Sequence, residues 1–326
     1  MKNQGMIFDE LEIRLSFSPR SHYYPLEPKG IGTMYVESLT SYIARLAIEH
    51  NVSLGALLRD IMKNYLGNEL VNKYSYYNYN FNLNGNNSKV EKFVEALEQK
   101  LLNNNLKYLT LIPFKQIIHG KELFKKRTQW CIKCYKEMKS KGESFHEPLI
   151  WYFAEVKICP KHLIKLIEAP YCKNCQKQQV FKRHSSIHCS GCYTKLNLYR
   201  TNKNLNVSEE ELAWQLWVIK NVSELLEGAF SYQGENFGIE RVFNIIDESL
   251  IKMFNNNESL FAKYLNIHSF SFLKLNCSKI TFKTLLKLSY CTGINLGEIF
   301  YSPSINYNNK QPRIFPTNIA FQMSDQ

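Results

Sequence analysis

The chain has 326 residues, 44% of them hydrophobic, and a formal net charge of +12. That length accommodates two or three domains, and no run of 18 apolar residues is present to form a transmembrane helix. The opening MKNQGMIFDELEIRL mixes acids and bases without the apolar core of an export signal, so reduced cysteines in a cytoplasmic setting are expected.

Residues 1–30 carry Pro19, Pro25 and Pro28 with Phe17, Tyr23 and Tyr24 between them, which predicts an extended arm packed by its aromatics. A helix is predicted from near Glu37, because Leu39, Tyr42, Ile43, Leu46 and Ala47 follow helical spacing. Asn51 and Val52 make a turn, and Ser53 can cap a second helix with Leu54, Leu57, Leu58, Ile61 and Met62 inward. The pair has the size of a helix-turn-helix unit. Residues 72–88, rich in Asn and Tyr, read as a loop or surface insertion. A third helix fits 89–102 through Val90, Phe93, Val94, Leu97 and Leu101, and Pro113 marks a break.

The centre of the chain holds four two-ligand knuckles: Cys131/Cys134, Cys159/His162, Cys172/Cys175 and Cys189/Cys192. Two knuckles close one tetrahedral zinc site, so eight ligands in order make two Zn2+ sites, paired sequentially. The thirteen residues between Cys175 and Cys189 suit a zinc ribbon, while the twenty-four between Cys134 and Cys159 must fold over the first site. His146, His184 and His188 lie near, and either of the last two could replace a cysteine of the second site. Four protein ligands leave no open position for water, so both sites read as structural. Disulfides are the competing reading of these cysteines, and the lack of an export signal opposes it. The stretch 148–159 is aromatic and β-prone, and KHLIKLIEA after Pro160 is expected to continue as a helix with His162 near its start.

Residues 121–200 carry 17 Lys and Arg against 6 Asp and Glu, a net +11 and nearly all the excess charge. Zinc on three thiolates and an imidazole contributes −1 and zinc on four thiolates −2, leaving the metal-loaded chain near +9. A basic zinc segment points to a polyanion, with Lys125, Lys126, Arg127, Lys182 and Arg183 as candidate nucleic-acid contacts. An AT-rich coding sequence would enrich Lys, Asn and Tyr for reasons unrelated to function, and this chain has that bias.

Past residue 201 the pattern is helical. Ser208 and Glu211 form a capping box before Leu212, Leu216, Trp217 and Leu225. A further helix covers 239–254 with Val242, Ile245, Ile246, Leu250 and Met253 inward, and a short one covers 258–265. After Asn266 and Ile267 comes a short helix at 268–274, then a helical stretch at 281–300. This succession resembles helix-turn-helix domains of the lambda-repressor type, which would make Ser269, Ser271 and Lys274 groove or phosphate contacts. A structural helical bundle is the other reading. Cys277 and Cys291 read as core fillers. Residues 43–58 align without a gap to 285–300, matching Leu46 to Leu288, Val52 to Ile294, Leu54 to Leu296 and Gly55 to Gly297. The expected fold is therefore mainly α with small zinc-ribbon β elements. It divides into an N-terminal helical domain (1–125), a tandem zinc segment (126–200) and a C-terminal helical domain (201–326).

Pro28 through Ala47, with its run VESLTSYIARLA, is followed by HNVSLGALL, then CxxC, an aromatic stretch ending CPKH, and two more CxxC knuckles. This order resembles the TniQ/TnsD family of transposition target selectors. The insertion at 72–88 and the modest length depart from its longest members, which read an attachment site themselves. The resemblance implies a non-enzymatic adaptor. Such proteins mark target DNA, or dock on an RNA-guided CRISPR effector complex, and recruit the transposon's AAA+ ATPase regulator; some are dimers. No membrane partner is implied. The residues agree in one respect: no G-x-x-x-x-G-K-[ST] loop and no compact acidic or Ser/His constellation is present. A stand-alone zinc-containing transcription regulator is the alternative, and a zinc-dependent nuclease would need an open metal position.

Overall fold

The computed structural model describes residues 20–66, 82–168, 172–176, 189, 192, 194, 205–232, 238–268 and 279–316. Mainly helical elements are joined by two short two-stranded sheets. Helix α1 (Leu39–Glu49) starts where Ser38, in extended conformation, accepts from the Ser41 amide with its side chain. Its inner stripe is Leu39, Tyr42, Ile43 and Leu46, all fully buried. Helix α2 (Leu54–Leu66) begins under Ser53, whose hydroxyl accepts from the Ala56 amide. Helix α3 (Ser88–Leu101) is capped by Asn87 and packs along α2. These three helices match the sequence reading. The end of the expected surface insertion does not, because Asn84 and Asn86 are buried. The Asn84 side chain accepts from the Thr40 amide and hydroxyl, and Asn86 donates to the Ile118 carbonyl at 2.6 Å. Short polar side chains there satisfy backbone groups that packing has removed from water.

The run Glu37–Ala47 is bound by a buried polar network. Arg45 grips Glu37 with Nε at 2.8 Å and Nη2 at 2.5 Å, and Glu37 is wholly buried. Ser41 donates to the same carboxylate and its hydroxyl accepts from the Glu147 amide. Arg45 also donates to the Glu27 carbonyl, and the Tyr42 hydroxyl to the Leu26 carbonyl, so one helix face fixes the arm before it. Glu147 receives hydrogen bonds from the Tyr135 and Tyr152 hydroxyls. Burial pushes its carboxyl up to about 7 against the pull of those two donors.

The C-terminal helices are α5 (Glu209–Ser231), α6 (Ile239–Phe254), α7 (Glu258–Leu265), α8 (Phe282–Thr292) and α9 (Leu296–Tyr301). Ser208 caps α5 as expected, accepting from the Glu211 amide. Leu216 nevertheless faces solvent, because the stripe that packs inward is Trp214, Val218, Val222 and Leu225. Short α9 lies against α5 and α6. A Cβ on Gly228 would sit 2.0 Å from the Tyr301 ring, so the missing side chain lets that ring rest on the α5 backbone, where its hydroxyl bonds the Leu225 carbonyl. The internal echo corresponds to two helix pairs: Ser53 and Asn295 immediately precede the aligned first residues Leu54 and Leu296 of α2 and α9. The reading of 268–274 as a recognition helix falls largely outside the described residues.

The N-terminal and C-terminal helical segments meet through β1 (Ile118–His119), parallel to β4 (Ile280–Thr281) just before α8. Aromatic contacts continue the seam, with Phe153 against Phe282 at 5.1 Å and Phe114 against Phe300 at 5.4 Å. Among the described residues one apolar cluster reaches from Tyr23 to Phe315.

Candidate metal centres

The chain enters the first centre on β2 (Gln129–Trp130), which pairs antiparallel with β3 (Ile167–Glu168). Cys131 is the N-cap of a helix that the sequence reading did not anticipate, α4 (Ile132–Ser140). Cys134 lies in its first turn, so a two-residue spacing puts both sulfurs at one helix end. The second knuckle departs from expectation. Residues 149–152 form a 3-10 turn rather than a strand, although Phe153 bridges Phe124 and Ile158 bridges Lys165. The stretch after Pro160 is not helical. Leu163 adopts left-handed φ of 53°, its amide donates to the Cys159 carbonyl, and the Cys159 amide donates to the Ile164 carbonyl at 2.8 Å. This tight reversal turns His162 back onto Cys159 and sends the chain through the Lys165 bridge into β3. Closure of the knuckle thus overrode the local helical pattern of KHLIKLIEA.

The ligand atoms of Cys131, Cys134, Cys159 and His162 all lie within 4.8 Å of one another. The His162 Nδ1 is 3.4 Å from the Cys131 Sγ and 3.3 Å from the Cys134 Sγ, and the Cys134 and Cys159 sulfurs are 3.6 Å apart. Zinc bonds of about 2.3 Å to sulfur and about 2.0 Å to nitrogen give tetrahedral edges of about 3.8 and 3.5 Å. The set fits that ion, and the sulfurs are too far apart for disulfides, whose bond is about 2.05 Å. Hydrogen bonds from Cys134 and Cys159 hold the Cys131 thiol well below its ordinary value. Hydrogen bonding to that sulfur, together with burial, pushes the Cys134 and Cys159 thiols up, so the metal-free cluster favours a single thiolate.

Glu137, one turn beyond Cys134, places Oε1 2.7 Å from His162 Nε2. A carboxylate there keeps the proton on Nε2 and leaves the Nδ1 lone pair aimed at the sulfurs. Lys161 pairs with the other carboxylate oxygen and, with His162, holds Glu137 below its usual range. An acid three residues after the second cysteine was the available signal, and the sequence reading missed it.

The second group is Cys172, Cys175, Cys189 and Cys192, also within 4.8 Å. Cys172 and Cys192 sulfurs are 3.6 Å apart, and those of Cys175 and Cys189 are 3.5 Å apart. The Cys189 amide donates to the Thr194 carbonyl, closing the knuckle. Thr194 bonding draws the Cys192 thiol down to about 5. Cys175 is exposed, but Cys172 and Cys189 are buried in the core, as Cys131 and Cys159 of the first group are.

His146 lies outside both groups, with Nδ1 beside the Ser144 carbonyl. Lys126 is exposed, Arg127 pairs with Glu168, and Lys125 turns inward to donate to the Trp151 carbonyl at 2.7 Å. Burial, then the Lys157 charge, pushes the Lys125 amine down. Lys182, Arg183, His184, His188, Ser269, Ser271, Lys274 and Cys277 lie outside the described residues. Cys291 is a buried core residue whose thiol donates to the Tyr264 carbonyl.

Helices, a knuckle-built first centre and a second four-sulfur group define a helical protein with a zinc-ribbon-like insert. Residues 28–166 match the TniQ family model, from just after the Glu27 carbonyl held by Arg45 to the residue before β3. The chain thus carries a TniQ-type domain over those residues, and that domain indicates a transposition-associated protein. No curated protein matches it. No helix among the described residues is long and apolar enough to cross a membrane.

Proposed function

We propose that the protein is a non-enzymatic targeting adaptor in DNA transposition. It links a target DNA site or an RNA-guided effector complex to the transposon's AAA+ ATPase regulator. The TniQ match over 28–166 carries this reading. The metal groups support it: each presents four protein ligands to one point, a set that zinc fills without a position for substrate or water. Cys131, Cys134, Cys159 and His162 would hold one Zn2+, and Cys172, Cys175, Cys189 and Cys192 the other. Bound metal contributes folding energy by tying α4 to β3. In this division the N-terminal segment 1–125 and the zinc segment 126–200 dock partners, and the helical segment 201–326 supports them. A pull-down of the purified chain with the transposon's ATPase, with and without target DNA, tests the assignment. Association is expected, and its absence under every condition refutes the adaptor.

A further inference from the structure

Helix α4 carries a second face that the metal does not use. Ile132, Tyr135 and Met138 are buried, while Lys133, Lys136 and Lys139 are exposed and are followed by exposed Lys141. Steps of three residues advance about 4.5 Å along the axis and turn about 60°, so the three amines share one side of the helix. The acid within α4, Glu137, is already engaged by His162 and Lys161. Glu143 stands beside Lys141 at 4.0 Å, with both side chains exposed. Cys131 and Cys134 anchor the helix, so metal binding would hold the lysine row rigid.

We infer that this row on α4 is a binding site for the phosphodiester backbone of a nucleic acid. The inference rests on the transposition reading for its biological context. Its chemistry favours phosphate over an acidic protein: the exposed side offers lysines and Ser140 with no apolar or aromatic anchor. Protein interfaces draw their energy from such anchors, whereas phosphate contacts need only positioned charge. The bound register carries no sequence information, since lysines meeting phosphates position a duplex without reading it.

The test uses the full zinc-loaded chain and a Lys133→Ala/Lys136→Ala/Lys139→Ala variant. Affinity is measured against mixed-sequence duplex DNA and single-stranded RNA over a range of salt. On the preferred polymer, the slope of log affinity against log salt should fall by about 0.9 per lysine for duplex or about 0.7 for single strand. Zinc content and thermal unfolding should stay unchanged. An Arg59→Ala/Lys63→Ala/Lys89→Ala variant removes equal charge from α2 and α3 and should keep the wild-type slope. An unchanged slope in the α4 variant, equal loss in both variants, or no binding by the wild type overturns the inference. So does an α4 variant that binds nucleic acid normally but loses a protein partner. A chain that binds nucleic acid through α4 yet ignores the ATPase would sustain this inference while refuting the adaptor.

Discussion

Replacing Arg45 with methionine tests whether the run Glu37–Ala47 is a structural clamp. The guanidinium makes two hydrogen bonds to Glu37 and a third, at 3.0 Å, to the Glu27 carbonyl. Glu37 is 0% exposed and Arg45 5%. After the substitution Glu37 keeps the Ser41 hydroxyl but loses its countercharge, with buried Glu147 close enough to repel it. Removing one partner of a buried pair costs about 3–5 kcal/mol, because the remaining charge is neither hydrated nor paired. A domain's whole stability is about 5–15 kcal/mol, so the loss should be large. Urea unfolding of the zinc-saturated chain, read by tryptophan fluorescence, measures it; Trp151 lies in the same core. Glu37→Met/Arg45→Met removes both charges and should cost less than the sum of the single changes by about 2 kcal/mol or more. A single-variant loss below about 1 kcal/mol, or strict additivity, would refute the reasoning and return these residues to a surface role.

Glu147 makes a pH prediction. Its folded pKa is raised to about 7, so folding favours the protonated form. Its stabilising contribution is complete below the unfolded value of about 4.3 and declines as pH rises through 7. The stability of wild type relative to Glu147→Gln should thus drop by roughly 3 kcal/mol between pH 5 and 8, and denaturant titrations at both ends would expose a flat difference. Glu137→Ala should weaken metal binding at the first centre by about 10- to 100-fold with the fold retained, measured by chelator competition. Cys172→Ser should remove one of two zincs and loosen the second centre, whereas Cys159→Ser should empty the first and lower the unfolding temperature more, since the first centre ties α4 to the β2–β3 pair. Metal analysis with thermal scans distinguishes the two. Gly55 has nothing within 4 Å of a would-be Cβ, while Gly228 meets the Tyr301 ring. Gly55→Ala should therefore stabilise by about 0.5–1 kcal/mol, and Gly228→Ala should destabilise by about 1–3 kcal/mol despite better helix propensity. Equal signs would contradict the packing account.

Helical spacing made α1, α2, α3, α5, α6 and α7 legible from the chain alone, because each has one apolar stripe, and Ser53 and Ser208 marked the starts of α2 and α5. Knuckle spacing likewise pointed to the eight side chains that the fold gathers into two groups able to hold a metal. A stripe names an inner face but not its neighbour, so Leu216 was assigned to the core where Trp214 and Val218 point instead. KHLIKLIEA has helical periodicity, yet it forms a reversal at Leu163 followed by β3, since bringing His162 to Cys159 outweighs a few tenths of a kcal/mol per residue of propensity. Glu137 behind His162, Glu147 beneath α1 and the exposed lysine face of α4 depend on contacts between distant segments. What was local, namely periodicity, caps and ligand spacing, the amino-acid order determined by itself. Which faces meet, which charges are buried and which lysines remain in water only the tertiary structure decided, because burial belongs to the packed whole and not to any short stretch of chain.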